Sequence, residues 1–330
     1  MTSEKNLFEQ LSDRIMTTGS KIIPELFKFI ATEDDAKLML ATPGTVDELA
    51  EKTGHGKADV QKRLDDLFHK GLMFKGKKGD VTTYKMCKDI VQFHDGTILW
   101  PEAPKEYHKL WKKYMDVEWF DYARIIEKFV KDPFTRVVPI GQSIKAEGQI
   151  QTVDDVMNII DGTNRVAVTD CTCRTIDGKC GHELRVCVQV GRSAEYAIER
   201  GTGTELTKDE ARKLISRCDE AGLVHVIMNS STRQNFICNC CSDCCQTMPV
   251  FVKAGVKILA PSRFSAEIDA DSCTGCEACV DRCFFGAITM EDGTAVVNAE
   301  KCMGCGVCVP ACPAEVISLI EVRTKETIPA

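Results

Sequence analysis

No stretch of this 330-residue sequence approaches an uninterrupted apolar run long enough for a membrane span, which needs about 18 residues or more. The opening MTSEKNLFEQLSDRIM has no apolar h-region, so neither a cleaved export signal nor an extracellular setting is expected. Positive charge is scarce: 42 Lys and Arg stand against 49 Asp and Glu, a net charge of −7. A generally nucleic-acid-binding surface calls for the opposite balance. Nucleotide-binding, flavin-binding and nucleophile–base constellations are missing as well. The nearest approach to a phosphate cradle is RGTGT (200–204). It lacks a preceding strand and a G-x-x-G continuation, and reads as the stop of a helix.

What is abundant is cysteine, 19 residues of it. Secreted disulfide scaffolds are cysteine-dense too, but they are short and carry a signal peptide. In a chain expected to be cytoplasmic, so many thiols point to metal ligation.

The densest pattern occupies residues 273–312: CTGCEACVDRC, eighteen residues, then CMGCGVCVPAC followed by Pro313. Each half is C-x2-C-x2-C-x3-C, the thiolate run that wraps a cubane [4Fe–4S] cluster, with the fourth Cys serving the other cluster. One cluster would therefore take Cys273, Cys276, Cys279 and Cys312, and the second Cys302, Cys305, Cys308 and Cys283. The halves also repeat beyond their cysteines at a shift of 29 residues, IDADSC (268–273) lying on VNAEKC (297–302). Zinc is the alternative, since paired C-x-x-C segments hold it too, but a zinc site needs only four ligands.

This segment, about residues 262–320, resembles the bacterial two-cluster ferredoxin domain. The resemblance implies two [4Fe–4S] clusters and electron transfer. One departure is Phe284, where the ferredoxin pattern has Pro after the fourth Cys. It bears on packing and potential and removes no ligand. Residues 262–330 hold five Lys and Arg against eleven Asp and Glu, an acidic face suited to a basic patch on a redox partner protein. Exposed clusters would favour a reducing, anaerobic cell.

Upstream, residues 35–90 read as a winged helix-turn-helix. Thr45 and Glu48 form a capping box, Val60, Leu64, Leu67 and Phe68 form a helical stripe, and a hairpin with a basic tip follows at 75–80. In a DNA reading, Lys62 and Arg63 would face the duplex, with Lys75, Lys77 and Lys78 on the wing. Asp59, Asp65 and Asp66 on the same face disfavour it, so a protein-docking module is the preferred expectation and DNA the lesser candidate. Residues 104–131 read as two helices. The second, about 117–131, puts Trp119, Tyr122, Ile126, Phe129 and Val130 on one face, a core or a homodimer seam.

Between these lies a cysteine-rich region with alternating elements. Strands are expected at 165–169, 223–228 and 256–260, and helices after Thr152 and after the Thr207–Glu210 capping box. Two cysteine loops follow strand ends, a usual place for a site. The first holds Cys171, Cys173, Cys180 and Cys187; the second holds Cys238, Cys240, Cys241, Cys244 and Cys245. Such density in polar segments points to at least one further iron–sulphur cluster, with zinc, a redox disulfide or an unoccupied site as alternatives. Each loop would hold its own cluster, or both would share one centre. Adjacent side chains diverge, so each doublet (240–241, 244–245) suggests ligands serving two centres or a spare thiol. Heterodisulfide-reductase-type proteins also carry Cys-Cys doublets, but the rest of their repeat is missing here. Cys87 and Cys218 read as structural, His182 and His225 as satisfied histidines ahead of ligands, and Arg174 and Arg185 as solvated residues or donors to cluster sulphur.

The expected fold is α+β and multidomain. It comprises a winged-helix-like domain (1–100), a helical linker (101–134), a small α/β cysteine-rich domain (135–261) and a ferredoxin-like domain (262–330). The leading expectation for function is an electron-transfer protein linking a redox partner to the central metal site. A reductase acting on a disulfide or bound cofactor comes second, and a redox-responsive regulator third.

Overall fold

The computed structural model describes residues 4–143 and 154–330. The architecture is mixed helix and sheet, and the chain divides into two compact units. One is Met1–Tyr122 with Thr175–Asp177; the other is Ala123–Arg174 with Gly178–Ala330. No helix among the described residues is long and apolar enough to cross a membrane.

The first unit runs α1 (Leu7–Arg14), α2 (Ile23–Ile30), α3 (Glu33–Ala41), α4 (Val46–Thr53) and α5 (Lys57–His69). The antiparallel hairpin β1 (Met73–Lys78) and β2 (Val81–Met86) comes next, followed by α6 (Ile90–Ile98) and α7 (Lys105–Val117). Capping boxes open α3 at Thr32–Asp35 and α4 at Thr45–Glu48, and Gly54 ends α4 in the left-handed conformation. Helix α5 buries the stripe Val60, Leu64, Leu67 and Phe68. Helices α1, α2 and α6, eight to nine residues each, were not anticipated. Phe27 stacks on Phe93 at 4.1 Å, Trp111 tilts against Phe93 at 5.0 Å, and the Trp111 indole donates to Thr97.

In helix α8 (Trp119–Phe129) Trp119 is buried, whereas Phe129 is 85% exposed and Val130, one residue past its end, is also exposed. The helix ends at Phe129, so these two residues lie at its terminus, where a helical face is no longer defined.

The second unit is built on a seven-stranded sheet. Its strands are β3 (Thr135–Val138), β4 (Val166–Thr169), β5 (Cys187–Val190), β6 (Thr204–Leu206), β7 (Val224–Met228), β8 (Phe236–Cys240) and β9 (Leu259–Ala260), in the order β6-β4-β5-β8-β7-β3-β9. Every pairing is antiparallel except β3 with β9. Strands β5 and β8 lie inside the stretches expected to be cysteine loops, so Cys187, Cys238 and Cys240 are strand residues. Cysteine density masked the alternation of Ile237 and Asn239, which point inward. The third expected strand shrinks to β9. The helices are α9 (Val156–Gly162), α10 (Thr172–Asp177), α11 (Arg192–Glu199), α12 (Lys208–Glu220) and α13 (Met248–Ala254). Asp155 caps α9; Thr152, the expected cap, lies outside the described residues.

The pleat sorts side chains between two cores. Val138, Ile227 and Ile237 face Ala211, Leu214, Ile215 and Cys218 of α12. Their neighbours Val137, Val226 and Cys238 face the other way, packing with Met248 of α13 and with Phe285, Met303, Cys305 and Val307. Residues on both sides of position 261 thus share a core. The C-terminal segment adds β10 (Phe264–Ile268), α14 (Ala278–Arg282), β11 (Ile288–Glu291), β12 (Thr294–Val297) and β13 (Ile317–Glu321). Strand β10 pairs with β13 and β11 with β12.

A buried ion network ties this segment to the sheet. Asp154 accepts from Arg136 at 3.0 Å and from Arg263 at 2.6 Å, and Arg263 also reaches Glu321. Both guanidinium groups are nearly inaccessible, and burial lowers the Arg136 pKa below its ordinary value, with Asp154 acting against that fall. Removing Asp154 takes a shared carboxylate from two buried guanidinium groups. Asp154→Ala should therefore lower the unfolding free energy by about 3–5 kcal/mol in anaerobic urea titration; a loss below about 1 kcal/mol would contradict the network's role.

Candidate metal centres

The 29-residue repeat of the C-terminal segment is also a repeat of backbone conformation. Left-handed residues recur in register at Gly275 and Gly304 (φ 67° and 65°), Glu277 and Gly306 (63° and 76°), and Gly286 and Glu315 (59° and 54°). A Cβ at Gly304 would collide with the Phe264 carbonyl and the Ser262 hydroxyl, so the chain passes there only as glycine.

These turns gather the eight cysteines into two groups, each completed by a residue from the other half. Cys273, Cys276, Cys279 and Cys312 line one recess that opens to solvent. Burial pushes the Cys279 thiol up, reinforced by Cys312, Cys276 and Cys273. Backbone N–H groups of Ala295 and Gly275 hold Cys273 below the ordinary thiol value. In the other group burial pushes Cys305 up to about 12, with Cys283 and Cys302 adding to the rise. Cys308 is raised likewise by burial and by Cys305, Cys283 and Cys302. Backbone N–H groups donate to sulphur at Ala266–Cys302 (3.4 Å) and Ala287–Cys283 (3.2 Å). The groups differ in access: Cys276 is exposed, whereas Cys302, Cys305 and Cys308 are buried.

Sheet topology brings the central thiols together. Strand β4 ends, β5 begins and β8 ends at the same end of these adjacent strands, so residues 170–186 and 241–247 emerge side by side. The thiols then sort across loops, not within them. Cys180 joins Cys241 and Cys244, the three sulphurs lying within 4.8 Å of one another. Cys171 and Cys173 join Cys238, Cys240 and Cys245. Each doublet is split: Cys241 and Cys244 pack in the core under α12, whereas Cys240 and Cys245 pack in the core shared with the C-terminal segment. Cys187 accepts from Gln189 at 3.3 Å, and no recorded contact among the described residues places it in either group.

The thiols of the five-residue group act on one another. A hydrogen bond from Cys171, then burial, drives the Cys173 thiol well up. Its neighbour Cys238 does the same to Cys240, and Cys240 to Cys245. Cys173 and Cys240 are each half-buried. Cys171 falls to about 7 through the Cys173 hydrogen bond. The N–H groups of Thr247 and Met248 point at the Cys245 sulphur, both at 3.4 Å.

Arg174 stands between the groups. Burial works against its charge, but a hydrogen bond to Cys241 and the fields of Cys171, Cys241 and Cys180 outweigh that and raise its pKa. It also donates to the Glu183 and Asn239 carbonyls, both at 2.8 Å. Arg185 is engaged elsewhere, with Asp170 and Thr204. Both ring nitrogens of His225 are taken, by Asn239 at 2.7 Å and Asp219 at 2.6 Å, which leaves none for a metal. Asp219, which also accepts from the Gly141 N–H, carried no sequence signal, because its role arises from helix-on-sheet packing. His182 is half-buried, and burial followed by Arg174 lowers its pKa. Cys218 and Cys87 are buried in apolar surroundings.

Residues 265–313 match the family model described as a 4Fe-4S dicluster domain. The C-terminal segment is thus a ferredoxin-like iron–sulphur domain. No curated protein matches the chain.

Gly304→Ala should lower bound iron per chain, because the added Cβ meets backbone and the left-handed conformation costs a further ~1–2 kcal/mol. Gly286→Ala carries the conformational cost alone, since nothing lies within 4 Å of its Cβ position, and should keep its iron. Equal iron in both variants would contradict the steric account.

Proposed function

We propose that the chain is an electron-transfer protein whose ferredoxin-like domain exchanges single electrons between a redox partner and the central thiol site. In this reading Cys273, Cys276, Cys279 and Cys312 hold one [4Fe–4S] cluster, and Cys302, Cys305, Cys308 and Cys283 hold the other. The five-thiol group holds at least one more iron–sulphur centre. Clusters so ligated supply one-electron chemistry at potentials set by their surroundings.

The chain's own contribution is placement. The observation that carries the reading is the core in which Cys238, Cys240 and Cys245 pack together with Cys283, Cys305, Phe285 and Met303. It puts the buried ferredoxin group beside the five-thiol group in an apolar setting. The Ile140 N–H donates to the Cys305 carbonyl at 3.0 Å, and the Ser262 N–H to Met303 at 3.0 Å, which fixes that spacing. The other ferredoxin group, with Cys276 exposed and Glu277 beside it, faces the partner.

The first unit is proposed as a winged-helix module that docks protein rather than DNA. Arg63 is engaged by Asp59 and Asp35, both at 2.9 Å, and by Asp34, while Lys75 lies over the Phe68 ring. Neither cation is presented to phosphate. A second reading, a reductase on a disulfide or bound cofactor, is favoured by one observation: the Cys180 group has three thiols, one short of full tetrahedral ligation.

Cys305→Ser tests the path. Reduction of the central centre by a small reduced ferredoxin, followed by freeze-quench EPR, should slow sharply in the variant. Reduction by dithionite with a viologen mediator should still go to completion. An unchanged rate with the protein donor would contradict the proposal. A duplex filter-binding assay checks the first unit: no salt-sensitive affinity is expected at low ionic strength, and a steep salt dependence would restore the DNA reading.

A further inference from the structure

The nine central thiols differ in spacing. The Cys180, Cys241 and Cys244 sulphurs all lie within 4.8 Å of one another, with Cys180 and Cys241 at 3.5 Å. Among the described residues, no other set of Cys, His, Asp or Glu side chains is gathered so tightly. Thiolates on one tetrahedral zinc ion, with Zn–S bonds of about 2.3 Å, stand about 3.8 Å apart. On a cubane each thiolate binds its own iron and points outward from a corner, so the sulphurs sit wider. The ferredoxin quartets, grouped by the same fold, fall outside the tight class accordingly.

We infer that Cys180, Cys241 and Cys244 hold a single divalent ion of the zinc type, and that its fourth position is open to a small thiol. The inference rests on the reading of the central domain as metal-bearing and parts from it in the identity of the metal.

A second observation points the same way. Arg174 is 4% exposed, and its Nε has no hydrogen-bond partner. Its contacts are two carbonyls and the Cys241 thiol, not a carboxylate. A buried guanidinium needs a compensating anion. Three thiolates around a divalent ion leave one net negative charge beside it, and the thiol protons leave to solvent as the ion binds.

Access and ligand class follow from the surroundings. No fourth Cys, His or carboxylate ligand atom joins the trio among the described residues. Cys180 is half-buried in a stretch where Gly178, Lys179, Gly181, Glu183 and Leu184 are exposed, and Ser242 and Asp243 are exposed on the other side. An open position on a thiolate-rich ion suits a soft donor, and a thiol bound there is held as thiolate.

The test uses the full chain, purified without oxygen or thiol reductant. Elemental analysis should give about one zinc per chain, and zinc-edge X-ray absorption should show three sulphurs at about 2.3 Å and one lighter atom. Adding 2-mercaptoethanol should convert that shell to four sulphurs. The double variant Cys180→Ser with Cys244→Ser should lose its zinc and keep its iron. Absence of zinc, four sulphurs before thiol is added, or a shell unmoved by thiol would each overturn the inference. So would a variant that loses iron in step with the missing thiols, since these would then be cluster ligands. Iron absent throughout, with zinc present, would instead sink the electron-transfer proposal and leave this one standing. If the variant fails to fold, the absorption measurement on the unaltered chain decides.

Discussion

Successive side chains of a pleated strand leave on opposite faces, and where this chain's central thiols go depends on that alternation. Cys238 and Cys240 follow the outward face of β8, toward the core shared with the C-terminal segment. Ile237 and Asn239 face the other way, toward α12 and His225. Past the strand end the sorting continues, with Cys241 and Cys244 in one core and Cys240 and Cys245 in the other. Two groups of thiols thus arise from one short stretch, each completed from the preceding loop by Cys171 and Cys173 or by Cys180.

The same sheet supplies what buried sulphur requires. Ionised thiols inside a protein need cations and N–H donors. Arg174 and the N–H groups of Thr247 and Met248 meet that need in the central region. Ala266 and Ala287 do so in the C-terminal one. Below the sheet, His225, Asn239 and Asp219 form a closed hydrogen-bonded set that fixes β7, β8 and α12 without offering a ligand. The buried Asp154 network performs a similar fastening between β3 and the start of β10.

What was legible in the sequence was local. The two thiolate runs announce themselves because every spacing that matters lies within eleven residues, and the 29-residue repeat reappears as matched left-handed turns. Capping boxes at Thr45 and Thr207 start their helices as written. The partition of the central thiols was not legible as a definite grouping. It depends on β5 lying between β4 and β8, a non-local fact, and on two strands hidden inside cysteine-rich text. The divergence of adjacent thiols could be read, but not which neighbours each would meet. Asp219 was equally opaque, since its partners are set by packing alone, whereas Arg174 could be read as a sulphur donor but not its carbonyl partners across the sheet.

The central claim is that cysteine sulphur holds iron both in the tail and in the middle of this chain. Counting iron and acid-labile sulphide per chain after oxygen-free purification tests it most directly. Iron clearly above the roughly eight atoms that two cubanes supply is the predicted result. A count at or below that figure would remove the central cluster, and a colourless protein carrying zinc alone would contradict the account throughout.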